Sequence, residues 1–107
     1  MSRISVDINR GIILVRGDTE AITTVPKYVA KIVDRIASYY GYDHKEMIRE
    51  LEKLIEYLKS TPYDEWLDYF KDVVPKRYAK RLIEYWLPYV ISFISEVAPI
   101  VESSSWY

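Results

Sequence analysis

Cysteine is absent from this chain of 107 residues, and with it go disulfides, thiolate catalysis and cysteine-held metals. Histidine occurs once, as His44, so no histidine pair offers itself to a metal. Gly11, Gly17 and Gly41 are spaced for neither a phosphate loop nor a nucleophile elbow. Neither sign of charge is in excess. Lys and Arg number 15 against 16 Asp and Glu, so any attraction to nucleic acid has to come from a local patch. Long apolar runs are missing too. The longest apolar region, 83–101, is interrupted by Glu84, Glu96, Pro88 and Pro99 and reads as a core helix, so no membrane association is expected. No basic and apolar leader opens the sequence, so no secretion signal is expected, and the lack of cysteine suits a reducing, cytoplasmic setting.

What is present argues for an ordered domain. Half the residues are hydrophobic and tyrosine alone supplies eleven, enough for one modest core over 1–107. Ile4, Val6 and Ile8 alternate with Ser5, Asp7 and Asn9, which is the period of a half-buried strand. Asn9-Arg10-Gly11 supplies turn chemistry, and 12–15 is a short β-branched run, so a hairpin is predicted. Gly17-Asp18 breaks it, and 20–25 reads as a third strand leading into Pro26.

The stretch 25–58 organises the rest. Val29, Ile32, Val33, Ile36, Ala37 and Tyr40 form one helical stripe that Gly41 should stop. Asp43, with Glu46 three residues on, predicts a capping box for a second helix, whose buried stripe is Met47, Ile48, Leu51, Leu54, Ile55 and Leu58. Thr61 as N-cap, Pro62 and Asp64-Glu65 predict a third helix with Trp66, Leu67, Phe70 and Val73 or Val74 inward. A fourth helix should start at Pro75 and be kinked or restarted by Pro88. The expected fold class is therefore α+β, mainly α. A hairpin and strand (1–25) precede a helical hairpin (26–60) and aromatic C-terminal helices (61–107).

The spacing of 20–58, about a third of the chain, resembles the ribbon-helix-helix family of small dimeric DNA-binding proteins. The matching residues are Val25-Pro26, Gly41-Tyr42-Asp43 and Glu46-Met47-Ile48-Arg49-Glu50, with the apolar positions between Pro26 and Gly41. The resemblance implies a homodimer in which paired strands enter the major groove of double-stranded DNA. Ile22, Thr24 and Glu20 would then face the groove, while Ala21, Thr23 and Val25 face the core. Lys45 would stand at a helix start that holds a phosphate, and Val25, Val29 and Val33 would belong to the dimer interface. Glu20 departs from the basic or amide residue that the family usually carries there.

Lys76, Arg77, Lys80 and Arg81 make a compact cluster around Tyr78, suited either to phosphates or to a plain solvated surface. The rows Lys27, Lys31, Arg35 and Lys45, Arg49, Lys53 have acids beside them and read as salt-bridged faces. Asp64, Asp68 and Asp72 read as a solvated acidic stripe, and His44 as an exposed residue beside a helix cap. No catalytic constellation, metal or cofactor is expected. The aromatic load of the C-terminal half, with Ile91 and Phe93, exceeds one stripe and suggests an oligomer or protein-partner surface. Two functions follow. One is a small DNA-binding transcriptional regulator, favoured by the spacing and the four-charge cluster. The other is a helical protein–protein interaction module without DNA binding, favoured by Glu20 and the acidic balance.

Overall fold

Three short strands open the chain, at Arg3–Asp7 (β1), Ile12–Arg16 (β2) and Glu20–Thr24 (β3), paired antiparallel in the order β1-β2-β3. Four helical units follow, and the chain is 67% helical, an α+β fold of mostly α content as expected. The computed structural model describes residues 2–40 and 43–102. The expected stop at Gly41, the side chain of Tyr40 and the Trp106-Tyr107 tail lie outside the described residues.

The strands follow from alternation. Ile4, Ile13 and Val15 point to one face and are fully buried, with Val6, Ala21 and Thr23 half-buried beside them. Side chains on the other face stand in rows set by the register: Arg3, Arg16 and Glu20; Ser5, Leu14 and Ile22; Asp7, Ile12 and Thr24. β1 ends at Asp7, and Ile8 belongs to the turn, whose Gly11 N–H donates to the Ile8 carbonyl at 3.2 Å. Gly11 takes a φ of 64°, the left-handed region that glycine enters without strain. A Cβ there would also collide with the Val25 carbonyl oxygen.

The first helix, α1 (Lys27–Tyr40), packs on β1, and the second, α2 (His44–Ser60), packs on α1. Asp43 caps α2 by accepting the Lys45 N–H at 2.8 Å. The reciprocal half of the predicted capping box is not made, because Glu46 pairs with Arg49 at 2.8 Å instead.

The third helix differs most from expectation. After Pro62 there is only a 3-10 turn, Tyr63–Glu65, without a side-chain cap. Trp66 is then extended, and a six-residue helix, α3 (Asp68–Val73), follows. Side chains take over the hydrogen bonds that a helix would have made. Trp66 Nε1 donates to the Thr61 carbonyl at 2.9 Å, the Tyr57 hydroxyl accepts the Leu67 N–H at 3.0 Å, and the Tyr63 hydroxyl donates to the Val74 carbonyl at 2.7 Å. Trp66 is buried by this arrangement, whereas Leu67, expected inside, is 62% exposed.

The fourth unit is continuous. A 3-10 turn (Lys76–Tyr78) runs into α4 (Ala79–Arg81), then a π turn (Leu82–Trp86), then α5 (Leu87–Glu102). Pro88 neither breaks nor restarts it. Proline has no N–H to offer the preceding turn, and the π turn ends just before it, with the Leu87 N–H reaching back five residues to the Leu82 carbonyl. α5 packs on α2 and on β2 and β3. Its Val101 carbonyl accepts the Asp18 and Thr19 N–H groups at 2.7 and 3.3 Å, and Gly17 leaves room for that approach. One buried cluster joins every layer, from Ile4 through Leu51, Trp66 and Leu87 to Val101. Val25, Val29 and Val33, expected at a subunit interface, lie within it, covered by this chain's own sheet and helices. Ile91 and Phe93 are half-buried against it. No helix among the described residues is long and apolar enough to cross a membrane.

Gly11→Ala should cost roughly 1–3 kcal/mol from the backbone conformation alone, with the Val25 clash added. Urea unfolding checks this. A loss below about 0.5 kcal/mol, the ordinary scatter of surface substitutions, would mean that the turn does not hold the geometry described.

Candidate nucleic-acid interface

The turn of Lys76–Tyr78 is fixed to the start of α1 by a ring stack. Tyr28 lies on Tyr78 with centroids 5.3 Å apart and planes 10° from parallel. Tyr28 is four residues beyond Thr24, so the stack gathers the Thr24 end of the sheet, the first turn of α1 and the basic cluster at one place. Burial pushes the Tyr28 hydroxyl up; Arg81 opposes the shift and Tyr78 adds to it.

Lys76, Arg77, Lys80 and Arg81 are all exposed, and among the described residues none forms an ion pair. Flanking Asp72 and Glu84 neutralise none of them within salt-bridge distance. The guanidinium of Arg77 lies 4.7 Å from the Tyr78 centroid and that of Arg81 5.4 Å from Tyr85. Such contacts hold the cation in place without discharging it.

The two basic rows separate here. On α2 the expected pairing is found, Arg49 with Glu46 and Lys53 with Glu50 at 3.2 Å. On α1 the expectation fails. Lys27, Lys31 and Arg35 form no ion pair among the described residues, and Asp34, three residues from Lys31, does not reach it. Arg35 lies over the Tyr69 ring at 4.2 Å, and the Tyr69 hydroxyl donates to the Lys31 carbonyl at 2.9 Å. Sequence reasoning missed this row as a site, although the signal was there: α1 carries one acid in 14 residues, and it stands four positions from no base.

Ile22 and Thr24 point outward on β3 and are exposed, Ile22 to 58%. Lys45 stands elsewhere. Arg3 bridges to Asp43, so the start of α2 sits at the Arg3–Arg16–Glu20 end of the sheet, one strand length of about 13 Å from Thr24. The N–H groups that would meet a phosphate there already have a carboxylate, that of Asp43.

His44 is not exposed. Its side chain keeps 14% of its surface, and its Nδ1 lies 2.7 Å from Ser2 Oγ and 3.4 Å from Glu102 Oε2. Serine and carboxylate meet the same ring nitrogen, so no proton path crosses the imidazole from one to the other, and Ser2 is fully buried. The cluster ties the start of the chain to the end of α5. Burial pulls the Glu102 carboxyl upward, but hydrogen bonds from the side chain and backbone of Ser2 and the charge of His44 outweigh it and hold Glu102 below its ordinary 4.5. Asp64, Asp68 and Asp72 converge on nothing, and no group of three acids or histidines among the described residues is placed to hold a metal.

Compared with known proteins, the chain matches no family model, no curated protein and no solved structure.

A carboxylate whose folded pKa is lowered contributes stability above its unfolded value, about pH 4.5 here, and loses it as pH falls through the folded value. The wild type should therefore lose more stability than Glu102→Gln between about pH 5 and pH 3. Thermal melts across that range check it. Parallel pH profiles would show that Glu102 is not held as described.

Proposed function

We propose that this protein is a small DNA-binding regulator that grips duplex phosphates with Lys27, Lys31, Lys76, Arg77, Lys80 and Arg81. The observation that carries the reading is the pairing pattern: Lys27 and Lys31 on α1 and all four cations of the 76–81 cluster are without an ion-pair partner among the described residues, while the row on α2 is largely neutralised. Unpaired cations release counterions when they meet phosphates, which is the main sequence-independent source of affinity. Guanidinium groups seated on tyrosine rings add a preorganised geometry.

Ile22 and Thr24 then carry what sequence reading there is, from the exposed face of β3 beside the grip. Thr24 donates or accepts at a base edge, and Ile22 touches a thymine methyl. The ribbon-helix-helix resemblance supplies the arrangement of two copies. β3 is an edge strand, hydrogen-bonded to β2 on one side, and its other edge is the place where a two-fold mate would pair. A cytoplasmic setting belongs to the same reading.

A second reading has its own observation. Ile12 and Leu14 join Ile22 on the outer face of the sheet, an apolar centre ringed by charge that suits a protein partner without DNA.

Titration into random duplex at about 50 mM salt should give affinity that falls with a log–log slope of about −0.9 per phosphate neutralised. Arg77→Glu with Arg81→Glu should weaken binding to every sequence alike and make that slope shallower by about two. Thr24→Ala should instead alter which sequence is preferred, by roughly 1–3 kcal/mol. No association at about 100 micromolar protein, the weak end of non-specific binding, would leave the interaction module as the reading to pursue.

A further inference from the structure

Behind the basic row on α1 the surface opens into an apolar groove. One part, about 210 Å³, is lined by Ile32, Arg35, Ile36, Tyr39 and Phe70. The next, about 280 Å³, shares Ile36 and Phe70 and continues to Leu54, Tyr57 and Leu67. The two are thus one trough between α1, α2 and the segment leading into α3. Its charged groups are unequally disposed. Glu50 and Lys53, at the far part, pair with each other at 3.2 Å. Arg35, at the near part, is exposed and forms no ion pair among the described residues, and its guanidinium is steadied by the Tyr69 ring. Asp34 lies near enough to raise the Tyr69 hydroxyl, which burial raises first and Arg35 lowers, yet it does not neutralise Arg35.

We infer that this trough is a binding site for a small amphiphilic carboxylate. The acid group pairs with Arg35, and the hydrocarbon chain lies over Ile36 and Phe70 toward Leu54 and Leu67. The guanidinium fork matches a carboxylate in two parallel hydrogen bonds. The apolar floor begins at Arg35 and runs away from it, so the order of head and tail is fixed. Size selects a small molecule. The combined space falls within the roughly 300–1,000 Å³ of ligand sites. Leu67, exposed after the chain turns outward past Trp66, gains cover from such a ligand. The site stands on its own geometry and does not require that the protein bind DNA.

Calorimetry and amide-shift mapping with decanoate, decanol and acetate, all below micelle formation, test it. Decanoate should bind saturably at one site, with shifts centred on Ile36, Leu67 and Phe70, and acetate should not bind. Decanol should bind about tenfold more weakly or worse, since a charged hydrogen bond is lost. Arg35→Gln should reduce decanoate to the level of decanol while leaving decanol unchanged. The comparison of the two chain molecules on the wild-type protein needs no variant. Equal affinity for decanoate and decanol, unsaturable uptake, shifts centred on the sheet, or full affinity in a folded Arg35→Gln protein would each overturn the assignment.

Discussion

A three-stranded sheet has two faces, and among the described residues the helices cover one. Ile4, Ile13 and Val15 are completely covered by α1 and α5, each fully buried residue contributing roughly 1.5–3 kcal/mol. The remaining arrangement follows from that cover. α1 has to start where β3 ends, α2 returns along α1, and α5 has to come back far enough for the Val101 carbonyl to reach the backbone at Asp18 and Thr19. The outer rows are left to solvent by the same constraint. A period of two residues places Ile22 and Thr24 there as surely as it places Ala21 and Thr23 inside.

Features with a local cause were legible in the sequence. Alternation gave β1, a β-branched run β2 and the stretch leading into Pro26 β3, with Gly11 the turn, Pro26 the start of α1 and Asp43 the cap of α2. Those with a distant cause were not. The start signals at Thr61 and Pro62 are chemically sound, but burying Trp66 and satisfying its indole N–H turns the chain out of the helix after one 3-10 turn. Leu67 is carried outward as a result. His44 has no apolar neighbours in sequence that announce burial. It is enclosed because Ser2 and Glu102, 42 positions before it and 58 after, are brought to its ring by the sheet and α5. The basic cluster could be seen in the sequence, but whether its charges were neutralised could not, since ion pairing is decided by which elements lie alongside.

That distinction resolves an apparent conflict between a nearly balanced chain and the proposed phosphate-binding surface. The formal charge is −1, yet the charges are sorted. α2 carries Glu46, Glu50, Glu52 and Glu56, and α1 has Asp34 alone. On α2 two acids discharge the bases beside them, whereas Asp34 pairs with no base of α1 among the described residues and the turn after Pro75 holds no acid of its own. A balanced total is compatible with a local field of one sign when opposite charges are housed on different elements.

The π turn at Leu82–Trp86 sets an angle as well as accommodating Pro88. Each residue of an α-helix advances the helix by about 100°, so the extra residue in that wider turn swings everything before it by roughly that amount relative to α5. Arg77 and Tyr78 are aimed at α1 by this offset, while Leu87, Val90 and Ile94 stay against the core. The widened turn acts as a dial: α5 is locked to the sheet at its far end, and the direction in which the basic turn looks is set by one supernumerary residue. A chain shortened by one position there would keep Leu87, Val90 and Ile94 on the core but turn Leu82 out of register along with the cations before it.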